Sequence, residues 1–219
     1  MSTTEILLIR HGETDWNLER RLQGHLDIGL NAKGLLQAQA LKQSLEGVPL
    51  DAVFCSDLQR ARQTAAALAS SRGLALQIDA GLRERCFGAL EGLRYEEAAE
   101  RFPAAYAAMR RRDIDARYPA GVYVAETGRE FSQRSVGTLM RLLGSGDYRR
   151  VAIVTHGGVL DSIYRFANGM DYGTPRSFEV FNAGINRLSW NIEQPMQLRI
   201  DGWGDVTHLD AIALDEIDR

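Results

Sequence analysis

The chain has 219 residues, 45% of them hydrophobic and 25% charged, which is the ordinary mix of a globular protein and enough for one large domain. Its 26 basic and 29 acidic residues leave a net charge of −3, which argues against a surface wholly given to nucleic acid and leaves room for a local basic pocket. The first residues lack the basic segment of a secretion signal, and no stretch approaches the roughly 20 apolar residues of a membrane span. A cytoplasmic protein without nucleic-acid or membrane partners is therefore expected. Cys55 and Cys86 make no disulfide framework and read as reduced thiols, with Cys86 placed near any site that uses Glu84.

The apolar run Ile6-Leu7-Leu8-Ile9 is too short for a typical helix and stops at Arg10-His11-Gly12. It reads as a buried parallel strand that delivers an arginine and a histidine to its carboxyl end, where open α/β sheets bind ligands. Asn31 is suited to cap a helix over 32–46, with Leu35, Ala38, Leu41 and Leu45 on one face and Gly47 as its stop. A strand over 52–55 follows, then an Ala-rich helix capped by Ser56 or Asp57 that ends near Gly73, then a strand over 74–78.

The segment 93–125 breaks this alternation. It holds a helix over 95–101, Pro103, an Ala-rich stretch ending in Arg110-Arg111-Arg112, and a loop at 118–121. The three arginines read either as a solvated helix end, favoured by the helix dipole, or as substrate contacts. Thr127-Gly128-Arg129-Glu130 has the form of a capping box and opens a helix that stops near 144–146. The strand 151–155 ends in His156-Gly157-Gly158 and leads into a helix over 158–167; late strands are expected at 186–190 and 197–200. No role is apparent for 202–209. The pattern predicts an α/β three-layer sandwich, with a mainly parallel central sheet, helices on both faces and a helical insertion.

The blocks Arg10-His11-Gly12-Glu13-Thr14 with Trp16-Asn17, Ser56-Asp57-Leu58-Gln59-Arg60-Ala61, Arg83-Glu84 with Phe87-Gly88 and Glu91-Gly92, and Thr155-His156-Gly157-Gly158 stand in this order along most of the chain. Together they resemble the histidine phosphatase superfamily, the phosphoglycerate-mutase-like proteins. The resemblance implies one domain over 1–219 whose insertion at about 93–125 caps the site and sets specificity. It implies His11 as the nucleophile that forms a phosphohistidine, His156 as the second histidine that steadies the phosphoryl group, and Glu84 as proton donor to the leaving oxygen. Arg10, Asn17, Gln23, Gly24, Arg60 and Gly157 fall on positions that bind the substrate phosphate.

These residue types suit that chemistry. Arginine presents a planar fork that donates two hydrogen bonds to a phosphate at once. Gly12 and Gly157 would let backbone N–H groups approach phosphate oxygens. Only neutral imidazole attacks phosphorus, and neighbouring arginines disfavour the charged form. A carboxylic acid donates near neutral pH when burial or a nearby anion raises its pKa. His25 and His208 read as surface or structural residues, and Arg62 as a helix-surface residue. The four histidines include no His-x-His or His-x-x-x-His spacing, so neither a metal nor another cofactor is expected.

The leading expectation is a phosphomonoesterase acting on a small phosphate monoester, with a homodimer left open. A cofactor-dependent phosphoglycerate mutase is the alternative, although the 87–92 block looks more like the phosphatase branch. A non-catalytic phosphate-ligand sensor is the second alternative, and it would need neither the nucleophile nor the acid. The departures from the family pattern are Arg85 and Cys86 after Glu84, and Val124-Ala125-Glu126-Thr127, where a Gly-Gly-Glu-Ser-like turn is common.

Overall fold

Side chains alternate between the two faces of a strand, and here both faces are apolar. In a computed structural model of the protein, which describes residues 3–209, six strands form one sheet. They are β1 (Thr3–Arg10), β2 (Ala52–Cys55), β3 (Leu76–Ile78), β4 (Arg150–Thr155), β5 (Ile185–Asn191) and β6 (Leu198–Asp205), in the order β3-β2-β4-β1-β5-β6. β3, β2, β4 and β1 run parallel, and β5 and β6 add an antiparallel hairpin on the β1 side.

The helices are α1 (Asp15–Leu18), α2 (Ala32–Ser44), α3 (Gln59–Ser70), α4 (Tyr95–Arg101), α5 (Pro103–Arg110), α6 (Gly128–Leu143) and α7 (Gly157–Asn168). Leu7, Ile9, Val53, Ala152 and Val154 point to one face, where Leu41 of α2 and Ala61, Ala65 and Leu68 of α3 cover them. Ile6, Leu8, Phe54, Val151 and Ile153 point to the other, under Leu139 and Leu143 of α6 and Val159, Leu160 and Ile163 of α7. Each such large side chain, withdrawn from water, contributes about 1.5–3 kcal/mol. The three-layer α/β sandwich expected from the sequence is therefore present. α4 and α5 sit over a separate cluster built on Leu22, Leu90, Ala98, Ala108 and Tyr118. No helix among the described residues is long and apolar enough to cross a membrane.

β1 feeds α2 on one face while its neighbour β4 feeds α7 on the other. Chains that part to opposite faces leave a crevice at the carboxyl ends of the strands.

Several local expectations need correction. Asn31 caps α2, its side chain accepting from Gly34 N (2.8 Å), and Ala38, Leu41 and Leu45 face inward as expected, but Leu35 is 52% exposed and Gly34 and Gln37 turn inward in its place. Backbones meet too closely there for a side chain. A Cβ on Gly34 would lie 2.1 Å from Glu13 O, and one on Gly12 would lie 2.6 Å from Gly34 O. Neither Ser56 nor Asp57 caps α3. Its N-cap is Leu58, and Gln59 N–H donates to the distant Asp27 Oδ1 (2.6 Å), while Asp57 accepts both prongs of Arg83 (2.8 and 2.7 Å). The expected strand over 74–78 shortens to an edge strand of three residues. Thr127 and Glu130 do form the capping box of α6. The unassigned 202–205 stretch completes β6, and Trp203 Nε1 donates to Glu179 O (2.8 Å).

Gly12→Ala should destabilise the protein by about 1–3 kcal/mol, the usual cost of overpacking a tight contact. Leu35→Ala should move stability by less than about 0.5 kcal/mol, as for a surface position. Denaturant unfolding of the two variants measures both.

Candidate active site

In the β1–β4 pair Arg10 stands opposite Thr155, and His11 N–H extends the ladder to Thr155 O (2.9 Å). Arg10-His11 and Thr155-His156 thus leave the sheet side by side, and the two imidazole centroids lie 5.1 Å apart, tilted by 60°. Arg60 enters from the first turn of α3 and is 0% exposed. Its Nη1 donates to Leu26 O (3.0 Å) and its Nη2 to Gly24 O (2.8 Å), and its Nε has no hydrogen-bond partner among the described residues. Burial pulls its pKa down to about 10, which still leaves a cation at neutral pH. Arg10 Nη1 donates to Val180 O (2.7 Å), fixing the guanidinium at the strand end.

His11 Nδ1 lies 2.7 Å from Gly12 O. A carbonyl only accepts, so Nδ1 carries the proton and Nε2 presents a lone pair. Burial first, then the charges of Arg60 and Arg10, hold the His11 imidazolium well below its ordinary 6.5. Burial, then Arg60 and His11, do the same to His156, whose two ring nitrogens have no hydrogen-bond partner among the described residues. The arginines act in the direction the sequence implies, but desolvation is the larger cause.

Glu84 reaches the same crevice from the loop after β3. Its Oε2 accepts from Gly158 N (2.9 Å) in the first turn of α7, and its Oε1 from Arg85 N (2.8 Å). A Cβ on Gly158 would lie 2.2 Å from Glu84 Oε1, so the carboxylate occupies the space that glycine leaves. A Cβ on Gly157 would lie 3.5 Å from the Arg10 guanidinium.

The remaining expected residues gather close by, in roles partly other than foreseen. Asn17 Oδ1 accepts from Thr14 N and Thr14 Oγ1, closing the capping box of α1, and Asn182 Nδ2 reaches it at 3.5 Å while donating to His11 O at 2.9 Å. Gln23 is buried, and its Oε1 has no hydrogen-bond partner among the described residues. Gly24 has φ +51, and its Cβ would lie 2.0 Å from Glu91 Oε1, so a side chain there would be strained and would displace the Glu91 carboxylate. Gly12 does not offer its N–H to a phosphate, because that group donates to Thr64 Oγ1 (3.0 Å). Cys86 is buried, and burial pushes its thiol up to about 11. His25 and His208 are structural, accepted by Glu84 O (2.9 Å) and Ala183 O (3.1 Å), and Arg62 is exposed.

A cavity of about 680 Å³ opens above Arg10, Glu84 and Gly157, walled by Tyr95, Tyr106, Met109 and Arg110 of α4 and α5 and by Tyr172 and Phe178 opposite. Among the three arginines only Arg111 is a plain solvated helix end. Arg110 lines the cavity, and Arg112 donates to Asp161 Oδ2 (2.7 Å) and Tyr172 O (2.7 Å). The buried Asp161 also pairs with Arg165 (2.8 Å) and Arg176 (3.1 Å). Among the described residues three non-glycine positions have positive φ, and all stand here. Arg20 and Arg112 line the cavity, and Ala183 N–H donates to Arg10 O (3.0 Å). Such residues cost of order 1–3 kcal/mol each and gather at functional sites. Among the described residues no three His, Cys, Asp or Glu side chains group as a metal site would.

Sequence reasoning missed Gly158, Asn182, Asp161 and the contacts of Arg85. Gly158 closes the Thr155-His156-Gly157-Gly158 block, but nothing local to it signals a contact with Glu84. Arg85 was noted only as a departure; its guanidinium donates to Tyr172 OH (2.9 Å), Ala116 O (3.2 Å) and Glu126 O (2.9 Å) and stacks 4.6 Å from the Tyr118 ring.

Residues 6–203 match the family described as the histidine phosphatase superfamily, branch 1. The chain is 37% identical to a protein of Arabidopsis thaliana named phosphoglycerate mutase-like protein 4, over 94% of this chain and 87% of that one. It is also 37% identical to the metal-independent phosphoserine phosphatase of the same organism, over 95% and 84%. Its structure resembles that of the alpha-ribazole phosphatase from Shigella flexneri, with a TM-score of 0.79 and 29% identity over 92% of this chain and 96% of that one. A match across nearly the whole chain settles the point: the chain belongs to the histidine phosphatase superfamily, branch 1.

Proposed function

We propose that this histidine phosphatase hydrolyses small organic phosphate monoesters through a phosphohistidine on His11. The observation that carries the reading is the spent Nδ1–H of His11, which leaves Nε2 with the lone pair on a buried ring that feels the charges of Arg60 and Arg10 and lies 5.1 Å from the His156 ring. Arg10 and Arg60 neutralise the phosphoryl oxygens, with Asn17, Gln23, Gly24 and Gly157 completing the pocket. His11 Nε2 attacks phosphorus, the P–O ester bond breaks, and Glu84 gives its proton to the leaving oxygen. Water then attacks the phosphohistidine, Glu84 takes a proton back, and inorganic phosphate leaves. His156 stabilises the charge on the phosphoryl oxygens in both transition states.

The cavity walls suggest the rest of the substrate. Segment 93–125 serves as the cap and specificity region, and its aromatic and arginine side chains face the alcohol portion. Two buried thiols are in keeping with a cytoplasmic setting. A sensor that merely binds phosphate has no use for a neutral nucleophile beside an acid. The mutase reading draws support from the relative named for it and from Arg110 and Arg112 in the cavity wall.

His11→Ala should lower turnover of nitrophenyl phosphate, measured with a chelator present, by several orders of magnitude. Brief mixing of the wild type with labelled substrate should leave acid-labile phosphate that the variant lacks. Retention of a tenth of the wild-type rate would displace His11 as nucleophile.

The pH dependence has a definite sign. Neutral His11 is the competent form, and its pKa lies well below 6.5. Activity should persist as the pH falls through 6.5 and be lost only lower, once the substrate's own titration is corrected for. An acid limb of kcat/KM centred at 6.5 would contradict the buried, arginine-flanked imidazole.

With 3-phosphoglycerate and a trace of bisphosphoglycerate, the protein should release phosphate or do nothing. Rapid formation of 2-phosphoglycerate without phosphate release would favour the mutase.

A further inference from the structure

Glu84 sits on a loop, and a loop leaves a general acid free to wander unless something fixes its backbone. Here the fixing group is Arg134, in the middle of α6. Its guanidinium has five N–H donors, and every one is used. Nη1 donates to Gly81 O and Arg83 O (both 2.9 Å), and Nη2 donates to Glu84 O (3.0 Å). Nε and Nη2 take the two oxygens of Glu126 (both 2.7 Å). Glu126 grips the other side of the acid. Its Oε2 accepts from Cys86 N (2.9 Å), and its backbone oxygen accepts from Arg85 Nη2 (2.9 Å). Burial pushes the Glu126 carboxyl up, but the hydrogen bonds from Arg134 and Cys86 N outweigh it and keep the group an anion. His25 Nε2 adds a further donor to Glu84 O (2.9 Å).

The carbonyls of residues 81, 83 and 84 and the amide of residue 86 are therefore held by one bidentate ion pair. With the carboxylate pinned to Gly158 N and Arg85 N, position and direction of the acid are both set. The pair bridges α6 to residue 126, just before the helix starts, so the clamp belongs to the rigid helix layer and not to the loop.

We propose that Arg134 and Glu126 are positioning residues for proton donation: they touch no substrate, and they keep Glu84 within reach of the leaving oxygen. This rests on the reading of Glu84 as the acid. A misplacement of about 1 Å at a reacting group costs roughly 100-fold in rate. The cost falls only where a proton is needed. It should be large for leaving groups that depart as strong bases and small for those that depart as stable anions.

The test is the dependence of kcat/KM on leaving group across substituted phenyl phosphates, from phenyl to nitrophenyl. It is measured for the wild type, Glu84→Gln, Arg134→Met, Arg134→Lys and Glu126→Gln, with thermal unfolding followed in parallel. Arg134→Met should lose roughly 100-fold on phenyl phosphate and only a few-fold on nitrophenyl phosphate, giving the steep dependence of Glu84→Gln. Arg134→Lys keeps the charge but has three donors for five acceptors, and should recover only part of the loss. If Arg134→Met does not fold, Glu126→Gln carries the same comparison, since it loosens the same ion pair while keeping its shape. Equal losses on every substrate in the Arg134 and Glu126 variants, beside a steepened dependence in Glu84→Gln, would overturn the positioning role and leave Glu84 as the acid. An unchanged dependence in Glu84→Gln would overturn the assignment of Glu84 itself, and the clamp's role with it.

Discussion

The parallel pairing of β1 with β4 is the constraint on which the site depends. Both strands are buried on both faces, so their register is fixed by packing into two separate apolar layers. A slip of one residue would turn every core side chain to the wrong layer. The same register sets Arg10 against Thr155, and so decides that two histidines far apart in sequence emerge with their rings 5.1 Å apart. The geometry of the chemistry is inherited from the packing of the sheet.

Placing two imidazoles and two guanidiniums in so small a space would be prohibitive if all were charged. Burial resolves the conflict by favouring the neutral imidazoles while the arginines keep their protons. Arg60 remains tolerable at 0% exposure because backbone carbonyls, oriented by the turn at Gly24, accept from both of its terminal nitrogens. The result is a pocket of net positive charge whose donors are already oriented, which suits an incoming phosphate dianion.

What the sequence revealed follows from the range of the interactions. The strand ends, the capping box of α6 and the Asn31 cap are local, and each left a legible pattern of residue type and spacing. The clustering of His11, Arg60, Glu84 and His156 was legible through four motif blocks, although no block predicts how the others approach it. Interactions between a side chain and a distant backbone left no pattern. Nothing local to Asp27 says that it caps α3, and nothing local to Arg134 says that it holds residues 81–84. Gly12 shows the limit in the other direction. Its glycine was legible, but the reason is contact with Gly34 and a hydrogen bond to Thr64, not room for a phosphate.

The placement of β1 also bears on how the protein comes to be active. The strand that carries Arg10 precedes the other five strands of the sheet in the chain, yet its two neighbours are β4 and β5, from near residues 150 and 190. Pairings so distant in sequence close large loops and form slowly. During synthesis β2 and α3 can pack early, while β1 waits, apolar on both faces and with both edges open, until β4 and β5 have emerged. A ribosome-bound or truncated chain would therefore expose its stickiest segment for the longest time. The pocket would come into being in a single late step, so partly made chains would carry no fraction of the activity.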